Sequence, residues 1–320
     1  MDDRPIHRVA GHDLNAEPKP SIVFTVDVED WGQSVFDRSL PISRYCADNV
    51  RRLLDILATD PGARGTFFVL GKFAQKHPQV VRDLQATGHE IASHGFGHEP
   101  VHHQTPGEFR DDLRRAADII SHITAQTVVG YRAPVFSIGQ QNLWALEVLA
   151  DEGYEYDSSI FPIAGRRYGI PHWPREPATI RLGHDRRIIE FPLTAVRIAG
   201  RNYPVSGGGY ARLIPSPLLI RAFQREARHR RTSWPVFYCH PYELDAREFQ
   251  RRDPTPPWGD RHLPLTLQWH QGVGRGAFER KLRALMHHFQ FRSFAQARRS
   301  LAQPPEMSIR VDEPVAIPVD

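Results

Sequence analysis

The chain has 320 residues, 40% of them hydrophobic and 24% charged, with two cysteines and a formal net charge of +4. That composition can bury a sizeable core, and it excludes a disordered chain, a collagen-like chain and a disulfide-stapled scaffold. Nothing in it calls for a nucleic-acid partner, and no apolar window reaches the length of a membrane span.

Residues 1–20 are polar and carry prolines, so a flexible N-terminal arm is expected. Its start, Met1-Asp2-Asp3-Arg4-Pro5, lacks the apolar stretch of a secretory leader, which points to a cytoplasmic location. Ser21-Ile22-Val23-Phe24-Thr25-Val26 is a β-branched and aromatic run, the mark of a strand buried on both faces. It leads into Asp27-Val28-Glu29-Asp30-Trp31. Ser43 is placed to cap a helix through about Ala58, with Val50, Leu53, Leu54 and Leu57 at helical spacing. Gly65–Leu70 reads as a second buried strand. His77-Pro78 opens a helix that ends at Gly88, and Glu90-Ile91-Ala92 reads as a third strand.

That third strand delivers Ser93-His94-Gly95-Phe96-Gly97-His98, where glycines and Pro100 disfavour helix. A tight loop curls instead, and both imidazoles can face one ion. Thr105 with Glu108 is a capping box, and Phe109, Leu113, Ala116, Ile120 and Ile123 form one helical stripe. Strand 128–131 ends at Arg132-Ala133-Pro134. A helix over about 140–152 and a strand from Tyr154 follow, then Asp157-Ser158-Ser159. The alternation breaks over about 160–210, with a strand at 188–192 and a glycine loop at 206–210. A helix near 216–229 and a strand at 236–239 restore it, and one helical segment at about 277–290 precedes a tail, 303–320. Arg228-His229-Arg230-Arg231 is the densest basic run. It reads as a solvated helix end, with peripheral contact to an anionic surface as the alternative.

Repeated strand–helix units predict a parallel sheet with helices outside, and sites then gather at the carboxyl ends of the strands. Asp27, Glu29 and Asp30, then His94 and His98, then Arg132, then His240 fall there in turn. No Gly-x-Ser-x-Gly elbow, phosphate loop or dinucleotide fingerprint competes with them.

Thr25-Val26-Asp27, His94-Gly-Phe-Gly-His98, Tyr131-Arg132-Ala133-Pro134 and Tyr238-Cys239-His240-Pro241 occur in the order and spacing of the polysaccharide deacetylases. These are the NodB-like proteins of carbohydrate esterase family four, and the chain resembles them over about 21–245. Asp-Val-Glu-Asp-Trp, Arg-Ala-Pro-x-Phe-Ser, Asp-Ser-Ser-Ile-Phe-Pro and Gly-Gly-Gly-Tyr are similar to the branch associated with exosortase and exopolysaccharide gene clusters. The resemblance implies a distorted (β/α) barrel with fewer than eight units. It makes 21–302 one domain, the core of 21–245 carrying a C-terminal extension.

The implied chemistry is removal of acetyl groups from N-acetylated sugars of a polysaccharide or oligosaccharide, assisted by a divalent metal ion, zinc above all. Asp27 would be the base with Arg132 orienting it. His240 would enter from the opposite strand as the acid, and the Tyr131 backbone N–H would help hold the oxyanion. Trp31, Tyr131 and Pro134 are the expected substrate-binding residues. His94 and His98 would be metal ligands together with Glu29 or Asp30, because Val28 stands where typical members have a second aspartate. In an extended strand Asp27 and Glu29 share one side, which favours Glu29. The alternatives are a cyclic amide or imide hydrolase resembling allantoinase, and an inactive sugar-binding module.

Overall fold

The computed structural model describes residues 18–230, 233–250, 258, 262–301 and 303–309. Most of the expected N-terminal arm, and the tail beyond 309, lie outside the described residues. In chain order the first elements are β1 (Ser21–Val28), α1 (Arg44–Leu57), β2 (Thr66–Val69), α2 (Gly71–Lys76), α3 (Pro78–Ala86) and β3 (Glu90–Ser93). Then come α4 (Pro106–Thr124), β4 (Gly130–Tyr131), α5 (Trp144–Asp151), β5 (Tyr156–Asp157), β6 (Ala178–Arg181) and β7 (Arg187–Glu190). The hairpin β8 (Ala195–Ile198) and β9 (Arg201–Pro204), α6 (Gly208–Leu213), α7 (Ser216–His229) and β10 (Val236–Cys239) follow. The chain closes with α8 (Leu265–Gly272), α9 (Arg275–His288), β11 (Gln290–Arg292), α10 (Phe294–Ser300) and β12 (Glu306–Ser308).

The main sheet runs in the order β10-β1-β2-β3-β4-β5-β7-β6-β12, with β11 also pairing β1. Every pairing is parallel except β6 with β7. β1 lies between β10 and β2, and its unbroken apolar run is buried, with only Ser21 half-exposed. The outer edge of β10 is covered by chain from the irregular stretch. Val236 N–H donates to Thr194 Oγ1 at 2.7 Å, Tyr238 N–H donates to the Ser206 carbonyl at 2.8 Å, and Gly207 bridges Tyr238. A Cβ on Gly207 would sit 1.8 Å from the Tyr238 carbonyl oxygen, so glycine is required by that approach. The parallel strands thus curl toward closure as a distorted barrel with fewer than eight units.

α4 buries Phe109, Leu113, Ala116 and Ile120 from its stripe, and Thr105 and Glu108 complete the capping box in both directions. Each large apolar side chain removed from water contributes about 1.5–3 kcal/mol, and the cap adds about 1 kcal/mol. Other expectations are corrected. Ser43 stands at the start of α1 without a side-chain cap, and its N–H donates to Asp30. Of the expected glycine loop at 206–210, residues 208–210 form the first turn of α6, while Ser206 and Gly207 stay outside it. Among the described residues the final stretch holds the helices α8, α9 and α10, and residues 306–308 of the expected tail form β12 against β6. The basic run is not uniformly solvated: Arg228 and His229 are exposed, Arg230 is buried and Arg231 lies outside the described residues. No described helix is long and apolar enough to cross a membrane.

Candidate metal centre and active site

The carboxyl ends of β1, β3, β4 and β10 meet, and each delivers one part of the site. β1 stops at Val28, where the Glu29 N–H donates to the Asp27 carbonyl at 3.0 Å. The chain therefore turns at once, and strand alternation is not what aims Glu29. The turn carries its carboxylate, 4% exposed, between two imidazoles: Oε2 lies 2.5 Å from His98 Nε2 and 3.5 Å from His94 Nε2. The same turn sends Asp30 the other way. Its Oδ1 accepts from the Gly32 N–H at 2.9 Å and its Oδ2 from the Ser43 N–H at 2.6 Å. Asp30 thereby anchors the backbone around the start of α1 and stands apart from the histidines.

The loop after β3 is held from three directions. Asp112 accepts from the Phe96 N–H at 2.9 Å, the N-terminus of α2 donates to the Gly95 and Phe96 carbonyls at 2.9 Å each, and Gln33 Nε2 donates to the Gly97 carbonyl at 2.9 Å. Within it Gly95 has a φ of +76°, and an added Cβ would sit 2.7 Å from Asp112 Oδ2. His98 adopts a φ of +64°, unusual for a residue with a side chain, and this turns its ring inward. His94 Nδ1 donates to the Arg132 carbonyl at 2.8 Å, since a carbonyl can only accept. That bond leaves Nε2 as the bare nitrogen facing Glu29.

One ligand atom from each of Glu29, His94 and His98 lies within 4.8 Å of the others, and all three residues are buried. His98 Nε2 has no hydrogen-bond partner of proper geometry. Two nitrogens, one carboxylate and a second-layer carbonyl behind His94 form a donor set that fits a divalent cation. Burial alone would push the Glu29 carboxyl up. Facing His98 and His240, with contacts to His94 and His98, it is instead held well below the usual range.

Asp27 stands beside this group, 2% exposed, with Oδ1 accepting from Arg132 Nη1 at 2.7 Å. Arg132 is itself fully buried. Its Nη1 also donates to Thr25 Oγ1 at 2.7 Å, its Nε to the Ser158 carbonyl at 2.9 Å and its Nη2 to Ser158 Oγ at 2.9 Å. Asp157 fixes the next residue, accepting from Ser159 Oγ at 2.6 Å, and Ser159 Oγ accepts from the Ala133 N–H at 2.8 Å. The Asp-Ser-Ser segment is thus the cradle of Arg132, a role its sequence did not announce.

His240 comes from the neighbouring strand, not from an opposite one: Val26 pairs with Cys239, so Asp27 and His240 leave adjacent strand ends. Its Nε2 lies 3.5 Å from Glu29 Oε1, and its ring stacks on Tyr242 at 4.8 Å and 6°. The Tyr242 hydroxyl donates to Glu29 Oε1 at 3.3 Å. Behind His240, Glu243 Oε2 accepts the His240 N–H at 3.1 Å and faces Nδ1 at 3.6 Å, while Arg212 Nε lies 3.1 Å from Glu243 Oε1. Burial works against a charged imidazole here, but Glu29, Glu243 and Asp27 outweigh it and raise His240 to about 9. Tyr242, Glu243 and Arg212 escaped the sequence reading. An acid three residues after His240, past a proline, was a usable turn signal for Glu243; nothing local marks Arg212.

The expected substrate-binding side chains do not face an open site. Trp31 is fully buried, enclosed by Phe36 at 6.1 Å, Phe249 at 4.7 Å and Trp258 at 6.2 Å. Tyr131 is fully buried in β4 between β3 and β5, its ring edge-on to Phe109 and Tyr154. Pro134 is buried as well.

Residues 15–156 match a family model described as polysaccharide deacetylase, and residues 158–299 match one described as a domain of unknown function, DUF3473. The chitooligosaccharide deacetylase of Bradyrhizobium sp. (strain ANU 289) is 29% identical over 155 residues, 48% of this chain and 61% of that protein. The peptidoglycan-N-acetylmuramic acid deacetylase PdaA of Bacillus subtilis is 26% identical over 143 residues, 42% of this chain and 53% of that protein. The chain therefore spans about half to three fifths of the length of these two relatives. A solved Mycobacterium smegmatis structure assigned to the polysaccharide deacetylases shares the fold with a TM-score of 0.57 at 21% identity, over 92% of this chain and 96% of that one. A Pseudomonas aeruginosa PAO1 structure with the same assignment gives 0.54 at 15%, over 89% and 94%. Residues 15–156 thus carry a polysaccharide deacetylase domain by the family model, and the two solved structures share the fold.

Proposed function

We propose that this protein hydrolyses N-acetyl groups from amino sugars of a polysaccharide, using a divalent metal ion, zinc above all. The observation that carries this reading is the Glu29–His94–His98 group standing beside the buried Asp27–Arg132 pair and His240. When bound there, the ion supplies Lewis-acid polarisation of the acetyl carbonyl and lowers the pKa of water. Asp27 takes the proton of the attacking water, and the Arg132 guanidinium holds its carboxylate in place. Collapse of the tetrahedral adduct breaks the C–N bond, and His240 delivers a proton to the departing amine, leaving acetate and a free amino sugar. Glu243 behind Nδ1 keeps the Nε2 edge of His240 turned toward the site.

The relatives named as chitooligosaccharide and peptidoglycan deacetylases support this reading over a cyclic-amide hydrolase, and they support exopolysaccharide or cell-wall glycan metabolism as its setting. The test is release of acetate and free amine from N-acetylated chito-oligomers and peptidoglycan fragments. Asp27→Asn and His240→Ala should each lower kcat by about 10²–10⁴-fold. Wild-type turnover in either variant would remove that residue from the assignment.

A further inference from the structure

Away from the catalytic group, a cleft of about 430 Å³ is lined by Arg175, Glu176, Glu226, His229 and Arg230, with Pro174 and Pro305 among its walls. Arg230 follows the last turn of α7, and its side chain is only 3% exposed. None of its three guanidinium nitrogens has a hydrogen-bond partner. The facing carboxylate, Glu226 Oε2, is 3.9 Å from Nε, too far for a hydrogen bond. Glu226 is already engaged, since both of its oxygens accept from Arg175 Nη1 at 3.3 Å. The Glu226 carboxylate thus serves two guanidinium groups, and Glu176 is the second acid lining the cleft, yet the Arg230 donors remain without a partner. A buried guanidinium with every donor idle is costly, and folded proteins rarely leave one so. Burial also pulls the Arg230 guanidinium down to about 10, against the pull of Glu226 and Glu176.

We propose that this cleft binds a small oxyanion, a carboxylate or a phosphate, on the Arg230 guanidinium with Arg175 alongside. A guanidinium presents paired donors that match two coplanar oxygens of either group, which would occupy the idle Arg230 nitrogens. The ligand is distinct from the acetyl group being cleaved. Arg230 precedes β10 whereas His240 follows it, and no residue lining the cleft belongs to the group around Glu29.

Thermal unfolding of the whole protein tests this, at constant ionic strength with sodium chloride exchanged for sodium phosphate or sodium acetate. At saturation at least one of them should raise Tm by about 2–4 °C, as a ligand bound only to the folded chain must. A shift with phosphate alone identifies a phosphate-type ligand, with acetate alone a carboxylate, and with both the bare oxyanion chemistry. Arg230→Met should abolish the shift. Glu226→Gln removes the competing carboxylate and should move the midpoint to lower anion concentration, which keeps the test sharp even where Arg230→Met folds poorly. No anion-specific shift in the wild type, a shift that survives in Arg230→Met, or an unmoved midpoint in Glu226→Gln overturns the proposal.

Discussion

Asp27 and Arg132 are each buried, and each is tolerable only because of the other. The guanidinium spends its remaining donors on Thr25 and Ser158, so it arrives at the carboxylate already fixed in place. Replacing Arg132 by Met strands the Asp27 carboxylate, which should cost about 3–5 kcal/mol. Urea denaturation should show that loss, with part of it recovered in Asp27→Asn/Arg132→Met. Full additivity of the two substitutions would mean that the pair is not coupled. The neighbouring carboxylates part company in the same way. Glu29→Ala should abolish metal binding measured by equilibrium dialysis. Asp30→Ala should keep the metal but lose about 1–3 kcal/mol, because the Gly32 and Ser43 N–H groups lose their acceptor. Metal loss in Asp30→Ala with retention in Glu29→Ala would reverse the assignment.

At the scale of elements, the site is assembled from pieces whose visibility in the sequence differed. Strand Ser21–Val28, the His94–His98 loop and strand Val236–Cys239 were legible, because apolar runs and glycine spacing are local signals. Strand order was not. His240 was expected across the barrel, yet β10 pairs with β1, a long-range fact that no periodicity encodes. Trp31 beside Asp30 read as a sugar platform, and only the arrival of Phe249 and Trp258 from far along the chain buries it. α6 is the sharpest case, since a glycine stretch that looked like a loop turns into a helix once Gly207 locks onto Tyr238, and it thereby delivers Arg212 to Glu243. Arg212 and Glu243 stand behind His240, and under the proposed function they position it. Arg212→Gln and Glu243→Gln should lower kcat by about 10–100-fold while leaving KM near wild type, with partial rescue by Arg212→Lys. An effect confined to KM or to Tm would deny them that role.

Across the whole molecule, segments 15–156 and 158–299 share one sheet, since β10 and β11 from the second pair with β1 from the first. Glu29, His94 and His98 therefore come from one half of the chain and His240 from the other, and the candidate site exists only in the complete sheet. Stability has a pH signature in His89, buried just before β3. Its Nδ1 accepts from the Gly65 N–H at 3.1 Å, and burial together with Arg64 lowers it to about 4. A depressed pKa means full stability above the ordinary value near 6.5. Below it the unfolded chain takes up a proton that the folded one refuses. Stability should fall by about 3 kcal/mol between pH 6.5 and 4, and His89→Asn should lack that part of the slope. Identical pH profiles for the two proteins would contradict this. The central claim is that Glu29, His94 and His98 hold the ion on which deacetylation depends. It is tested most directly by measuring acetate release from N-acetylated chito-oligomers with protein stripped by a chelator and then reloaded with one equivalent of zinc. The account predicts no release from the stripped protein and restored release on reloading, with Glu29→Ala unresponsive; full turnover by the metal-free protein would contradict it.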